Sequence, residues 1–308
     1  MAVREATGEG GVTYGLKPDA ETYWGLMWKR FRQHRMAVGS GLVVLLLLAA
    51  VIIVPILSSR TYWEIDPANR FQPPSLSHPF GTDELGRDTF VRVMYGGRVS
   101  LLVGFSGAVS ATILGSVVGA IAGYYGGRVD SVLMRFTDVM LTLPTLPLML
   151  FVSMLFHGGA LTVIIVVAAF FWMGTARMVR GRFLSLKTEA FVEAALASGC
   201  SAPRIIFRHL LPNTADVILV STTLRVSTAI LYEATLSFLG FGVQPPTPTW
   251  GNMLQRSMNY MLGMPGATGV PWWLIFFPGF FILVTVLCIN FLGDGMRDAM
   301  DPKTLIRG

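Results

Sequence analysis

Charge is what this sequence has least of. Only 14% of its 308 residues are Asp, Glu, Lys or Arg, against roughly 25% in soluble domains. Cysteine is nearly absent. Cys200 and Cys288 stand alone, which excludes a disulfide framework and a cysteine-rich metal site. The four histidines (His34, His78, His157, His209) fall in separate segments and form no ligand cluster, so no metal is expected. No G-x-x-x-x-G-K-[ST] occurs, so the chain has no P-loop for ATP phosphates. Neither G-x-S-x-G nor H-E-x-x-H is present, and catalysis by this chain alone is unsupported.

Apolar residues take the place of charge. They make up 53% of the chain, and the mean hydropathy is +0.58. A hydrocarbon core of ~30 Å needs ~20 apolar residues per helix, so the chain supplies about six helical spans and short loops. The expected fold is all-α and integral to a membrane, with no sizeable soluble domain. The net charge of +6 would suggest nucleic acid in a soluble protein. Here it records basic cytoplasmic loops facing anionic lipid, and no nucleic-acid partner is expected.

Residues 1–35 are hydrophilic, with a Gly-rich start expected to fray. From Tyr23, aromatics stand beside Lys29, Arg30, Arg32 and Arg35. That suits either a helix lying on the inner leaflet or the positive flank of the first span. Met36 to Leu57 is uncharged, too long for a signal-peptide core, and reads as span 1. Residues 58–98 then form an external loop. Its five arginines sit poorly with the positive-inside rule, and Asp83 reads as an N-cap or turn residue.

Val99 to Gly127 carries no charge and repeats small residues every fourth position, at Gly107, Ala111, Gly115, Gly119 and Gly123. This stripe predicts close helix packing against another span or a partner chain. Tyr124 to Arg135 reads as a short return loop. From Phe136 the chain holds two spans with His157-Gly158-Gly159 as their turn, and Pro144 and Pro147 should kink the first. Asp138 is expected to pair with Arg135. Span 4, Ala160 to Trp172, is short, and its helix is free to continue out of the membrane.

Residues 175–213 are basic, which marks them as cytoplasmic. Within them Glu189 to Ser198 is rich in helix formers and Gly199 is the natural stop. Ser201 to Leu211 is a second short helix, with Pro203 in its first turn and Pro212 ending it. Span 5, Ala215 to Gly240, contains Arg225 and, near its middle, Glu233. Each either lines a polar pathway with Asp138 as a further candidate, or is held in a structural pair. Residues 241–271 form a second, proline-rich external loop, where Trp250-Gly251 either contacts a delivery protein or packs over the spans. Span 6 runs from Trp272 and Trp273 to Leu292.

Four of these stretches carry a family resemblance. Glu193-Ala194-Ala195, three residues, Gly199, then Leu211-Pro212 resembles the EAA loop of ATP-binding-cassette importer permeases, E-A-A-x3-G-x9-I-x-L-P. One fixed position differs: His209 stands where the pattern has isoleucine. The run Arg208-His209-Leu210-Leu211-Pro212-Asn213 resembles the variant of the dipeptide/oligopeptide branch. His78 to Asp88, Ala234 to Gly240 and the tail from Gly293-Asp294 to Asp301-Pro302 are similar to that branch too, the tail reading as turn and cap.

The resemblance implies the type I importer-permease fold, with a domain of six spans over residues 36–293. A cytoplasmic segment, 1–35, and a cytoplasmic tail, 294–308, would flank it, both termini lying on the cytoplasmic side of the inner membrane. It implies a C-type permease moving di- or oligopeptides by ATP-driven alternating access, and nickel-chelate, glutathione or other peptide-like cargo stays open. Glu189, Glu193, Ala194, Ala195, Gly199, Arg204, Leu211 and Pro212 would couple the spans to ATPases. The implied partners are a second permease in a heterodimer, two ABC ATPase subunits that hold ATP and Mg, a substrate-binding protein and membrane lipid. No cofactor would bind this chain. The rival from the residues alone is a secondary transporter, which predicts an internal inverted repeat that is not seen. A membrane enzyme would need an acid pair or metal constellation, and none is present.

Overall fold

The computed structural model describes residues 23–261 and 270–300. The Gly-rich start and the closing Asp301-Pro302 lie outside the described residues. Those described are helical, joined by loops and short turns. Helix α1 spans Tyr23–Gln33 and α2 spans Arg35–Leu57. His34 separates them and caps α2, its Nδ1 accepting from Ala37 N at 3.1 Å. Next come α3 (Thr89–Tyr125), α4 (Gly127–Thr142), α5 (Thr145–Leu155) and α6 (Ala160–Leu186). Two short helices follow, α7 (Ala190–Ala197) and α8 (Ala202–Ile205), then α9 (Ala215–Phe238), α10 (Trp250–Met261) and α11 (Trp273–Met300).

Five helices among the described residues are long and apolar enough to cross a membrane. The pair α4–α5, bent by 90° between Thr142 and Thr145, makes six if it counts as one span. Pro144 is the break. It starts α5 in extended geometry, and its ring cannot continue the helix before it. The expected return loop 124–135 is mostly helix. Only Gly126 and Gly127, both at positive φ, form the turn, and Asp130 N closes the new helix on Gly126 O. Span 4 does run on, through to Leu186.

The glycine stripe meets α6. A Cβ at Gly107 would touch Val167, and one at Gly123 would lie 2.6 Å from the Phe183 Cβ. Cβ atoms at Gly115 and Gly119 would collide with the carbonyls of Trp172 and Ala176. Contacts advance together along both helices, so α3 and α6 run parallel. Helix α9 runs against α3, with Ile230 at Gly104 and Thr222 Oγ1 at 3.2 Å from Thr112 Oγ1. Helix α11 runs against α9, with Gly293 at Leu224 and Asn290 at Ser227, and α2 against α11, with Ala37 at Gly295 and Gly41 at Leu292. The run Gly293 to Asp298, expected as turn and cap, is therefore helix, its glycines admitting two neighbours. The ends of α3, α6 and α11 and the starts of α2 and α9 share one end of the bundle, called lower here.

Much of the outward face is apolar. Leu45, Leu46, Ile56 and Leu57 of α2 are each more than 60% exposed, as a helix bathed in lipid requires.

Candidate functional site

Residues 187–213 close the lower end. Lys187 Nζ donates to the Tyr124 carbonyl at 2.8 Å, fastening the end of α6 to the end of α3. Helix α7 ends as expected at Gly199, whose φ is +74°. Cys200 N donates to Ala195 O and Gly199 N to Leu196 O, the paired bonds that close a helix with a left-handed glycine. Pro212 does not end the second helix cleanly. Residues Ile206–Leu210 widen into a π turn, with Leu211 N reaching Ile206 O at 2.8 Å, and Pro212–Thr214 continue into α9. The proline has no N–H to give. Just beyond it, Asn213 Nδ2 and Thr214 Oγ1 donate to the carbonyls of His209 and Leu210.

The segment has two faces. Val192, Ala195, Ile205, Ile206 and Leu210 are buried against Val179, Phe183 and Leu186 of α6 and Ala120 of α3. Glu189, Glu193, Ala194, Arg204 and Pro212 are exposed, and Leu211 is half-buried. Glu189 caps α7 through its backbone alone, with no side-chain bond. Sequence reasoning missed the outward apolar residues Phe191, Leu196 and Phe207, 40%, 46% and 67% exposed. The available signal was Phe207 standing out of step with the buried stripe of Ile205, Ile206 and Leu210.

The three intramembrane candidates are not brought together. Asp138 does not pair with Arg135. It pairs with Arg177 of α6, while Asp130 takes Arg180 of the same helix in a two-pronged pair. Glu233 lies toward the upper end of α9 rather than mid-span, and it is fully buried. Ser237 Oγ donates to its Oε1 at 2.8 Å, and Oε2 has no partner. Arg225 donates to the Phe171 carbonyl of α6 at 2.6 Å. It lines a cleft of about 550 Å³ on the α6–α9–α11 face, with Asp216, Ser221, Thr228 and Arg297.

The upper end is held by ions. Asp83 accepts from Leu85 N and Arg87 N through Oδ1 and from Arg87 Nε at 2.7 Å through Oδ2, which also lies 3.3 Å from Arg92 Nε in an ion pair. Glu84 takes Arg87 and Arg256. Asp88, which caps α3, takes Arg60 at 2.7 Å. Asp83 is therefore a turn residue and Asp88 the N-cap, so α3 begins inside the expected external loop. Four of the five arginines that sat poorly outside are matched: Arg60, Arg87 and Arg92 by acids and Arg70 by the Glu84 carbonyl. Trp250 is fully buried and donates to Val93 O at 2.9 Å, so it packs over the spans. Burial raises the Tyr62 and Tyr260 phenols above their ordinary pKa, leaving both as neutral hydroxyls.

Comparison with known proteins agrees with this arrangement. Residues 115–306 match the family described as the binding-protein-dependent transport system inner membrane component. Residues 22–74 match the N-terminal transmembrane domain of oligopeptide transport permease C. The chain belongs to the membrane-spanning permeases of ABC importers, a multi-pass family in which ATP hydrolysis resides on a separate subunit.

Its relatives narrow the branch. The dipeptide transport system permease protein DppC of Alkalihalophilus pseudofirmus is 40% identical over 280 residues, covering 91% of this chain and 90% of the relative. The oligopeptide transport system permease protein OppC of Bacillus subtilis is 39% identical over 281 residues, covering 90% of each. OppC of Escherichia coli is 40% identical over 290 residues, covering 94% of each. A chain from inward-facing structures of the MetNI methionine ABC transporter shares the fold. Its TM-score is 0.55 at 17% identity, covering 69% of this chain and 98% of that one.

Proposed function

We propose that this chain is one half of the transmembrane path of a di- or oligopeptide importer, driven through residues 187–213. The observation that carries the reading is the two-faced segment at the lower end. One face is rooted in α3 and α6, and the other offers Phe191, Leu196 and Phe207 beside Glu193 and Arg204. Exposed apolar residues rimmed by charge mark a surface made for a partner. The partner is an ABC ATPase subunit, one of two that hold ATP and Mg. When the ATPases close, the segment moves as a body with α6 and α9, and the bundle passes between two arrangements.

A second permease completes the path in a heterodimer, and a substrate-binding protein delivers cargo at the upper end. The lower end is cytoplasmic: Arg177, Arg180, Arg182, Lys187, Arg204 and Arg208 gather there, as do the basic residues of α1. Both termini then lie inside. Arg225 lines the pathway. Asp138 and Glu233 serve it indirectly, Asp138 bracing α4 to α6 and Glu233 lying within the wall. Peptide cargo rests on the peptide permeases among the relatives.

The test is uptake of a short peptide by vesicles that hold the whole importer and ATP. Uptake should need ATP and the ATPases, and this chain alone should give none. Glu193→Lys should insert normally and lower uptake roughly tenfold or more, because a reversed charge is set against the partner's groove. Normal uptake by that variant would remove the coupling role.

A further inference from the structure

The cleft beside α9 is basic, and no acid answers its arginines. Arg225 Nη1 is spent on the Phe171 carbonyl, Nε is buried without a hydrogen-bond partner, and Nη2 lies over Gly174. A Cβ at Gly174 would come within 2.6 Å of that nitrogen, so the glycine makes room for the guanidinium. Among the described residues no carboxylate stands within ion-pair distance of Arg225 or Arg297. Asp216, which lines the same cleft, accepts from Val217 N at 2.8 Å.

A half-buried guanidinium in a membrane span is costly to keep without a counter-charge. The cleft has the makings of a ligand site. Its volume of about 550 Å³ falls among small-molecule sites of ~300–1,000 Å³. Met178, Val220 and Leu224 give apolar walls, and Ser221 and Thr228 give hydroxyls.

We infer that Arg225, with Arg297 nearer the lower end, forms a transient site for the carboxylate of the translocating cargo. The free N–H groups of a guanidinium match a carboxylate in charge and geometry. The apolar walls and hydroxyls take the side chains and amides of a short peptide. The anchor of Arg225 is on α6, the helix that runs into residues 187–213. A shift of that segment therefore moves the guanidinium and weakens its hold. This inference rests on the peptide-importer reading above.

The complete importer, with this chain as wild type, Arg225→Gln or Arg225→Lys, tests it in vesicles of wholly zwitterionic lipid, where no anionic headgroup competes. Uptake of trialanine is compared with that of its C-terminal amide, each at a concentration that saturates the binding protein. Arg225→Gln should lower uptake of the free acid roughly tenfold or more and leave the amide little changed, so the ratio between them collapses. Arg225→Lys should keep most of the ratio, and Arg297→Gln should reduce it less.

Equal losses for acid and amide, or unchanged uptake of the acid, would overturn the inference. Loss of the second permease from the Arg225→Gln complex would also overturn it, in favour of an ion pair between subunits. If the wild-type importer takes up neither peptide, the peptide reading falls and takes the inference with it. If wild-type uptake is sound and Arg225→Gln matches it, only the inference falls.

Discussion

At Gly115, Gly119 and Gly123 the backbone of α3 lies against α6 with no room for a methyl group. Gly119→Ala would drive its Cβ into the Ala176 carbonyl. Overpacking of this kind costs ~1–3 kcal/mol, so the variant should unfold at lower temperature in detergent. Gly39→Ala, where a Cβ meets nothing within 4 Å, should unfold no earlier than the wild type, since alanine suits a helix interior better than glycine. Equal midpoints for Gly119→Ala and wild type would mean the two helices are not in contact. The stripe was legible from its period of four, because spacing alone puts those residues on one face. Its partner was not, since no local rule says which of several apolar helices lies opposite. Arg225 and Glu233 were legible as costly and ambiguous in role. Eight residues apart on one helix, they meet different neighbours, and only packing separates the cleft-lining arginine from the sealed carboxyl.

Among the elements, α4 was the least readable. Arg128, Asp130 and Arg135 give residues 124–135 the look of a short return loop, with a span starting only at Phe136. Asp130 and Asp138 are instead partners for Arg180 and Arg177, a match between segments some forty to fifty residues apart in sequence. The break at Pro144 and the stop at Gly199 were legible because each follows from backbone geometry at one residue. The π turn before Pro212 was not, since it rests on Leu211 N reaching Ile206 O five residues back, a pairing that no single residue type signals. If the ion pairs hold α4 to α6, Asp130→Asn and Arg180→Gln should each destabilise the protein. The double variant should lose less than their sum, with a coupling of about 1 kcal/mol or somewhat less. Strict additivity in thermal unfolding would show that the pair adds no stability.

For the whole molecule, the sequence was enough to give the order of the long apolar helices and the broken pair α4–α5 between them. Hydrophobic length and the placing of basic residues are properties of the chain itself. The surface of the driven segment was readable only in part. Glu193 and Gly199 belong to a motif, but Phe191, Leu196 and Phe207 are defined by what the fold leaves uncovered. We propose that energy enters through this surface from a separate ATPase. The most direct measurement is affinity purification of this chain from native membrane in mild detergent, wild type beside Phe207→Asp, with every accompanying chain quantified by mass spectrometry. The wild type should bring a second permease and P-loop ATPases, and the variant should keep the permease while losing most of the ATPase. Equal ATPase in both samples, or a wild-type chain purified alone under conditions that preserve known complexes, would contradict the claim.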